Sequence, residues 1–254
     1  MAQSNALVTG AGHRLGAAIA LALAEAGAPV AIHYGRSDQE AEAVRQQILQ
    51  KGGQAVTLQA DLADPNDVDG LMERAADALE GTVRTLVNSA AIFQPGGVRD
   101  TTRKSWSRHL AINLTAPTRL MGAFARQFDP GPSPTTERAP HPPRLEGRII
   151  NIIDQRIRRP QPGHLAYSTA KAGLWHATQV AAAELAPTIT VNAIGPGPIL
   201  PAPGDPREKF EAIAAATPMQ HPGSPNDITA ALMFLLSQTY ITGEMLCVDG
   251  GEHL

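Results

Sequence analysis

A chain of 254 residues, 43% hydrophobic and 18% charged, is long enough to bury one large core. A net charge of -3 sets up no field for nucleic acid, no apolar run approaches the ~20 residues of a membrane span, and a single cysteine, Cys247, excludes an internal disulfide. The N-terminal segment has no charged stretch leading into a long apolar one and reads as no secretory signal, so a soluble, cytoplasmic protein of one domain spanning 1–254 is expected.

Residues 5–9 form an apolar run too short for a helix, and it ends at the glycine-rich turn Gly10-Ala-Gly-His-Arg-Leu-Gly16. Residues 15–28 are rich in Ala and Leu and read as a helix, stopped by Gly27 and Pro29. A second strand spans 29–34, and a helix capped by Asp38 spans 38–50. A third strand covers 54–60, and a helix over 65–79 starts at the N-cap Asp64 and Pro65. A fourth strand covers 85–88, followed by a long helix over 101–128 with an irregularity expected at Pro117. The proline-dense stretch 129–146 reads as a surface loop. Beyond it lie a continuous apolar strand, 148–153, a helix, 164–185, and a strand, 189–194. A loop over 195–224 carries a short helix at 206–216; a helix at 225–236 and a strand at 244–248 close the chain. Strands and helices alternating without internal repeat predict an α/β fold: a doubly wound, Rossmann-type parallel sheet of about seven strands with helices on both faces.

Three places concentrate chemistry. The glycine turn between strand and helix suits backbone N–H groups approaching a pyrophosphate, which puts Gly10, His13, Arg14, Leu15 and Gly16 on a nucleotide. The end of the second strand, His33-Tyr34-Gly35-Arg36-Ser37, lacks the acid that grips a ribose diol, and its basic and hydroxyl groups favour the 2′-phosphate of NADP. The third is Asp154 to Lys171. Tyr167 and Lys171, four apart, share one helix face, and an ammonium beside a phenol lowers the phenol's pKa from near ~10.

Thr9-Gly10-x-x-x-Arg14-x-Gly16, Asp61-Leu62, Asn88-Ser89-Ala90-Ala, Asn113, Tyr167-x-x-x-Lys171 and Pro196-Gly197 resemble, in order, the motif set of the short-chain dehydrogenase/reductases, with Val248-Asp-Gly-Gly251 near the end. Arg14 where that family usually has glycine, and Asp154 where it has serine, make the chain similar to its pteridine reductase and dihydromonapterin reductase subgroup. The resemblance implies NADPH as cofactor, with Asp61, Leu62, Asn88, Ser89, Ala90, Lys171, Pro196, Gly197 and Ile199 among its contacts. It implies that Asn113 holds a proton-relay water beside the catalytic Tyr167, Lys171 and Asp154. It also implies that Phe93 stacks the substrate on the nicotinamide, that the protein is a homotetramer, and that His164 lines the substrate pocket, the alternative for a His opening a helix being that it caps that helix. No metal is expected.

Asp154 carries the substrate question. A serine hydroxyl stabilises a developing oxyanion, whereas a carboxylate repels it, so a substrate protonated at nitrogen is expected. The rival is an Asp that turns the chain by bonding its own backbone. Arg156, Arg158 and Arg159 suit an anionic substrate tail, or else a solvated loop or subunit contacts. The expected function is NADPH-dependent reduction of a C=N bond in a dihydropterin-like small molecule. A carbonyl reductase of the same family and, more remotely, a non-catalytic NADP sensor are the alternatives.

Overall fold

The structure, a computed structural model, describes residues 4–128, 145–202 and 204–254. The 129–146 loop expectation therefore lies almost wholly outside the described residues.

Seven strands form one parallel sheet: β1 (Asn5–Thr9), β2 (Val30–Tyr34), β3 (Ala55–Gln59), β4 (Val83–Asn88), β5 (Gly147–Ile152), β6 (Ile189–Pro196) and β7 (Met245–Val248), in the order β3-β2-β1-β4-β5-β6-β7. The central strands β1, β2, β4, β5 and β6 are buried on both sides, so their residues alternate between two cores, while the edge strands β3 and β7 are partly exposed. Leu7, Leu86, Ile149 and Val191 face one layer, built on α3 (Pro65–Ala78), α5 (Ala116–Arg126) and α6 (Leu165–Leu185). Ala6, Val8, Ile32, Ile150 and Ile194 face the other, on α1 (Arg14–Glu25), α2 (Asp38–Gln50) and α8 (Pro225–Ser237). A short helix, α7 (Arg207–Ala215), lies in the loop after β6. The chain reverses its winding between β1 and β4, and a crevice opens there at the carboxyl ends of the strands.

Two local expectations need correction. The cap of α2 is Ser37, with Asp38 as the first helical residue. The long helix over 101–128 is broken, and one turn earlier than Pro117. It divides into α4 (Arg103–Leu110), a π-helical turn (Ala111–Thr115), and α5, with Pro117 in the first turn of α5. Pro117 has no N–H to offer the carbonyl of Asn113, and the backbone widens instead, Ala116 N–H bonding back to Ala111 O. Asp64 caps α3 as expected, accepting from the N–H of Asn66 at 2.9 Å.

Candidate active site

The cleft encloses about 1700 Å³ along the carboxyl ends of the central strands. At one end lies the glycine turn. Gly10 has φ +67°, and a Cβ there would sit 2.8 Å from Ala90 Cα, so only glycine lets the β1 turn and the loop after β4 come together. Thr9 Oγ1 fixes the same junction, accepting the N–H groups of Ser89 and Ala90, each at 3.1 Å. The first turn of α1 has no side-chain cap and no acid. Its free N–H groups and positive end open on the cleft beside Arg14, Leu15 and Gly16, which fits a pyrophosphate.

His33 plays a part the sequence did not suggest. Its ring is buried; Nδ1 accepts the Gly10 N–H at 3.0 Å and Nε2 donates to the Ala60 carbonyl at 3.1 Å. Burial pushes its pKa down to about 4. The imidazole is neutral and shapes the turn; it adds no charge to the basic rim. That rim consists of His13, Arg14 and Arg36, exposed along the cleft with Ser37 half-buried beside them. Arg14 holds φ +55°, which explains why glycine is usual there, and its guanidinium donates to the Pro201 carbonyl at 2.9 Å. Tyr34, Gly35, Asp61 and Leu62 line the same end.

At the other end, β5 delivers Asp154 and α6 delivers Tyr167 and Lys171. Tyr167 Oη donates to Asp154 Oδ2 at 2.7 Å, while Asp154 Oδ1 accepts the Arg156 N–H at 2.8 Å. Both readings of Asp154 thus hold at once: one oxygen turns the chain and the other meets the phenol. Burial, and then the Asp154 carboxylate, push the Tyr167 phenol well above its ordinary pKa. The expected lowering by Lys171 is overridden: the ammonium lies 5.9 Å from the phenol ring centroid and donates to the Ile152 carbonyl at 2.6 Å. Burial depresses the Lys171 pKa itself to about 8.

Phe93 stands over this pair. Its ring meets Tyr167 edge-on at 4.7 Å and stacks on His164 at 3.9 Å. His164 does not cap α6 with its side chain; its Nδ1 bonds the Gln94 carbonyl at 3.1 Å. Burial lowers the His164 pKa. Backbone bonds from Gly96 N to Gly163 O and from Leu165 N to Gly96 O hold the Phe93 loop against the start of α6.

All the residues expected from the sequence line the cleft except Asn88 and Asn113. Asn88 is buried and donates to Asn151 Oδ1 at 2.8 Å, tying β4 to β5 below the cleft floor. Asn113 spends its amide on the Ile92 backbone, accepting from N and donating to O at 2.9 Å each. Its side chain therefore positions the Phe93 loop. Gly197 packs against the C-terminal turn, where a Cβ would meet Asp249 Cα at 2.6 Å, bringing Pro196 and Ile199 onto the cleft wall.

Sequence reading missed Lys209, Phe210, Ile213 and Glu252. The first three sit on α7, whose spacing marks a helix but not which side meets the cleft. Glu252 belongs to a turn held by Arg159, which donates to the carbonyls of Glu252 and Leu254, and no motif announces it.

The sequence matches the family profile described as enoyl-(acyl carrier protein) reductase over residues 10–253. A 3-oxoacyl-[acyl-carrier-protein] reductase of Synechocystis is 34% identical, covering 97% of this chain and 95% of its own. The solved structure of FolM alternative dihydrofolate reductase 1 from Brucella suis, in complex with NADP, superposes with a TM-score of 0.89 at 37% identity, over 98% of this chain and 95% of that one. A short-chain dehydrogenase from Burkholderia cenocepacia, also with NADP, follows at 0.86 and 33%, over 99% and 98%. The chain belongs to the short-chain dehydrogenase/reductases. It is an oxidoreductase of that family. Among its described residues no helix is long and apolar enough to cross a membrane.

Proposed function

We propose that this short-chain reductase uses NADPH to reduce a C=N bond in a dihydropterin-like ring. The observation that carries the reading is the 2.7 Å bond from Tyr167 Oη to Asp154 Oδ2. Where a ketone reductase needs a neutral donor for an oxyanion, this pocket holds a carboxylate. A ring nitrogen that gains a proton is the complementary substrate.

The cofactor is NADP(H), the ligand of the Brucella and Burkholderia structures. The first turn of α1 would hold its pyrophosphate, Arg14, Arg36 and Ser37 with His13 beside them its 2′-phosphate, and Asp61 and Leu62 its adenine end. Ser89, Ala90, Pro196, Gly197 and Ile199 would frame the nicotinamide, and Lys171 would hold the adjoining ribose. When bound, the nicotinamide supplies the hydride. Tyr167 and Asp154 hold one proton between two oxygens and deliver it to the substrate nitrogen from Tyr167 Oη, beside the Phe93 ring. Asn113 acts by fixing Ile92 and so Phe93. A cytoplasmic homotetramer assembled through α6 belongs to the same reading, and sedimentation analysis tests the assembly.

The test is NADPH oxidation with dihydrobiopterin and dihydromonapterin: steady turnover that Tyr167→Phe abolishes while cofactor binding persists. No pterin turnover alongside brisk ketone reduction sinks it. The second reading, a 3-oxoacyl reductase, is favoured by the Synechocystis relative. Asp154→Ser separates the two: a gain in pterin turnover, or a loss of ketone turnover, contradicts an imine-directed carboxylate.

A further inference from the structure

The arginine run after Asp154 is not used by that chemistry, and the structure sorts it. Arg158 is exposed and Arg159 is spent on the C-terminal turn; neither lines the cleft. Arg156 does line it, half-buried, with its guanidinium 5.3 Å from the centroid of the Phe93 ring.

This charge is close to acids and yet unpaired. Asp154 takes only the Arg156 backbone N–H, and Glu252 accepts from Gln161 at 3.4 Å. Among the described residues the Arg156 guanidinium makes no salt bridge. A partly desolvated guanidinium without a counter-charge is costly to hold, and its planar fork matches a carboxylate. Lys209, on α7, lines the same cleft. Among the described residues its ionic partner is Asp205 at 2.9 Å, a surface pair of the kind that exchanges partners at little cost.

We infer that the substrate carries a carboxylate on the part that projects past Phe93, gripped in a bidentate manner by Arg156, with Lys209 as a second cation at the mouth. The inference rests on the cleft being the reductase site proposed above, but not on the ring being a pterin. A flat ring packs on Phe93 and the anion reaches the guanidinium beside it. An acidic carrier protein is a different partner: it meets exposed cations, whereas Arg156 is reached from inside the cleft.

The experiment uses two substrate pairs, dihydrofolate, whose glutamate tail carries two carboxylates, against the uncharged-tail dihydrobiopterin, and acetoacetate against its methyl ester, with wild type, Arg156→Gln and Arg156→Lys. The expected result is a KM for the carboxylate member about tenfold or more higher in Arg156→Gln, with kcat and the neutral member's KM within about twofold, and an intermediate value in Arg156→Lys. NADPH affinity equal to wild type confirms that each variant folds; if Arg156→Gln does not, the Lys variant and the wild-type preference within each pair decide. Equal losses for both members, or none, mean that Arg156 serves only as a counter-charge to Asp154 and Glu252, and overturn the inference. So does a response confined to a carrier-protein-linked 3-oxoacyl substrate. Turnover and Arg156 dependence of acetoacetate without any pterin turnover remove the pterin reading and leave the carboxylate site standing; pterin turnover with no response in either pair does the reverse.

Discussion

The Tyr167 hydroxyl donates a hydrogen bond to the Asp154 carboxylate at 2.7 Å, thirteen residues earlier in the chain, so the carboxylate's charge bears directly on the phenol's acidity. Burial and then the Asp154 charge hold the phenol protonated far above neutrality. Removing the charge in Asp154→Asn therefore lowers the Tyr167 pKa. A tyrosine that must be protonated to act loses activity as pH rises through its pKa, so the alkaline limb of kcat/KM moves to lower pH in the variant. Rate profiles, together with the ultraviolet absorbance of the phenolate, check this. An unmoved limb means that Asp154 does not face the phenol in solution. Tyr167→Phe loses about 10²–10⁴-fold in kcat, the usual worth of a placed proton donor.

Lys171 gives a second pH signature. Its folded pKa is depressed to about 8 from 10.5, so between those values the unfolded chain binds a proton that the cofactor-free fold does not. Stability rises with pH across that window, and the full cost of a buried ammonium, about 3 kcal/mol, is felt below pH 8. Lys171→Met removes the rise: the variant without cofactor is the more stable near neutrality, and the gap closes towards pH 10.5. Denaturant titrations over the window show it. A gap that does not change with pH contradicts a desolvated ammonium.

His33 titrates with the same sign at the acid end. Its folded pKa of about 4 lies below the ordinary 6.5, so its contribution is complete above pH 6.5 and is lost as pH falls towards 4, about 3 kcal/mol in all. The ring resonances of His33 are expected to stay those of a neutral imidazole through pH 6. Replacing it by Phe breaks the bonds to Gly10 and Ala60 together, flattens that acid-side loss and raises the KM for NADPH through a loosened glycine turn. An unchanged NADPH KM in a folded His33→Phe protein would falsify the positioning role.

Most of the fold was legible because a parallel sheet buried on both sides writes its strands as short apolar runs, and the motifs stand at their ends. Residues whose roles are local followed too: Asp64 at its cap, the glycine turn, and the Tyr167 and Lys171 face. What stayed hidden depends on contacts distant in sequence. The string His33-Tyr34-Gly35-Arg36 shows four adjacent residues, but not that the first is buried under Gly10 while the last is exposed. Asn88 and Asn113 carry motif positions, yet their amides reach Asn151 and Ile92, partners sixty-three and twenty-one residues away. The three arginines after Asp154 are equivalent as letters; only the docking of the C-terminal turn, which takes Arg159, separates them.

Arg14 brings strain and function into one position. A non-glycine residue at φ +55° costs about 1 kcal/mol relative to glycine, and the fold bears it while Arg14 reaches the Pro201 carbonyl across the cleft mouth. Arg14→Gly relieves the strain, removes a cation from the phosphate end and cuts the tie between the glycine turn and the loop after β6. The variant is expected to melt a few degrees higher than wild type when free of cofactor, and to bind NADPH about tenfold more weakly, the scale of one lost charge-assisted contact. Arg14→Ala keeps the strained backbone without the guanidinium, so it loses the same affinity with no gain in melting temperature. Thermal scans and NADPH titrations of the two variants separate backbone from side chain: equal melting temperatures contradict the strain, and wild-type affinity in both contradicts the role assigned to the guanidinium.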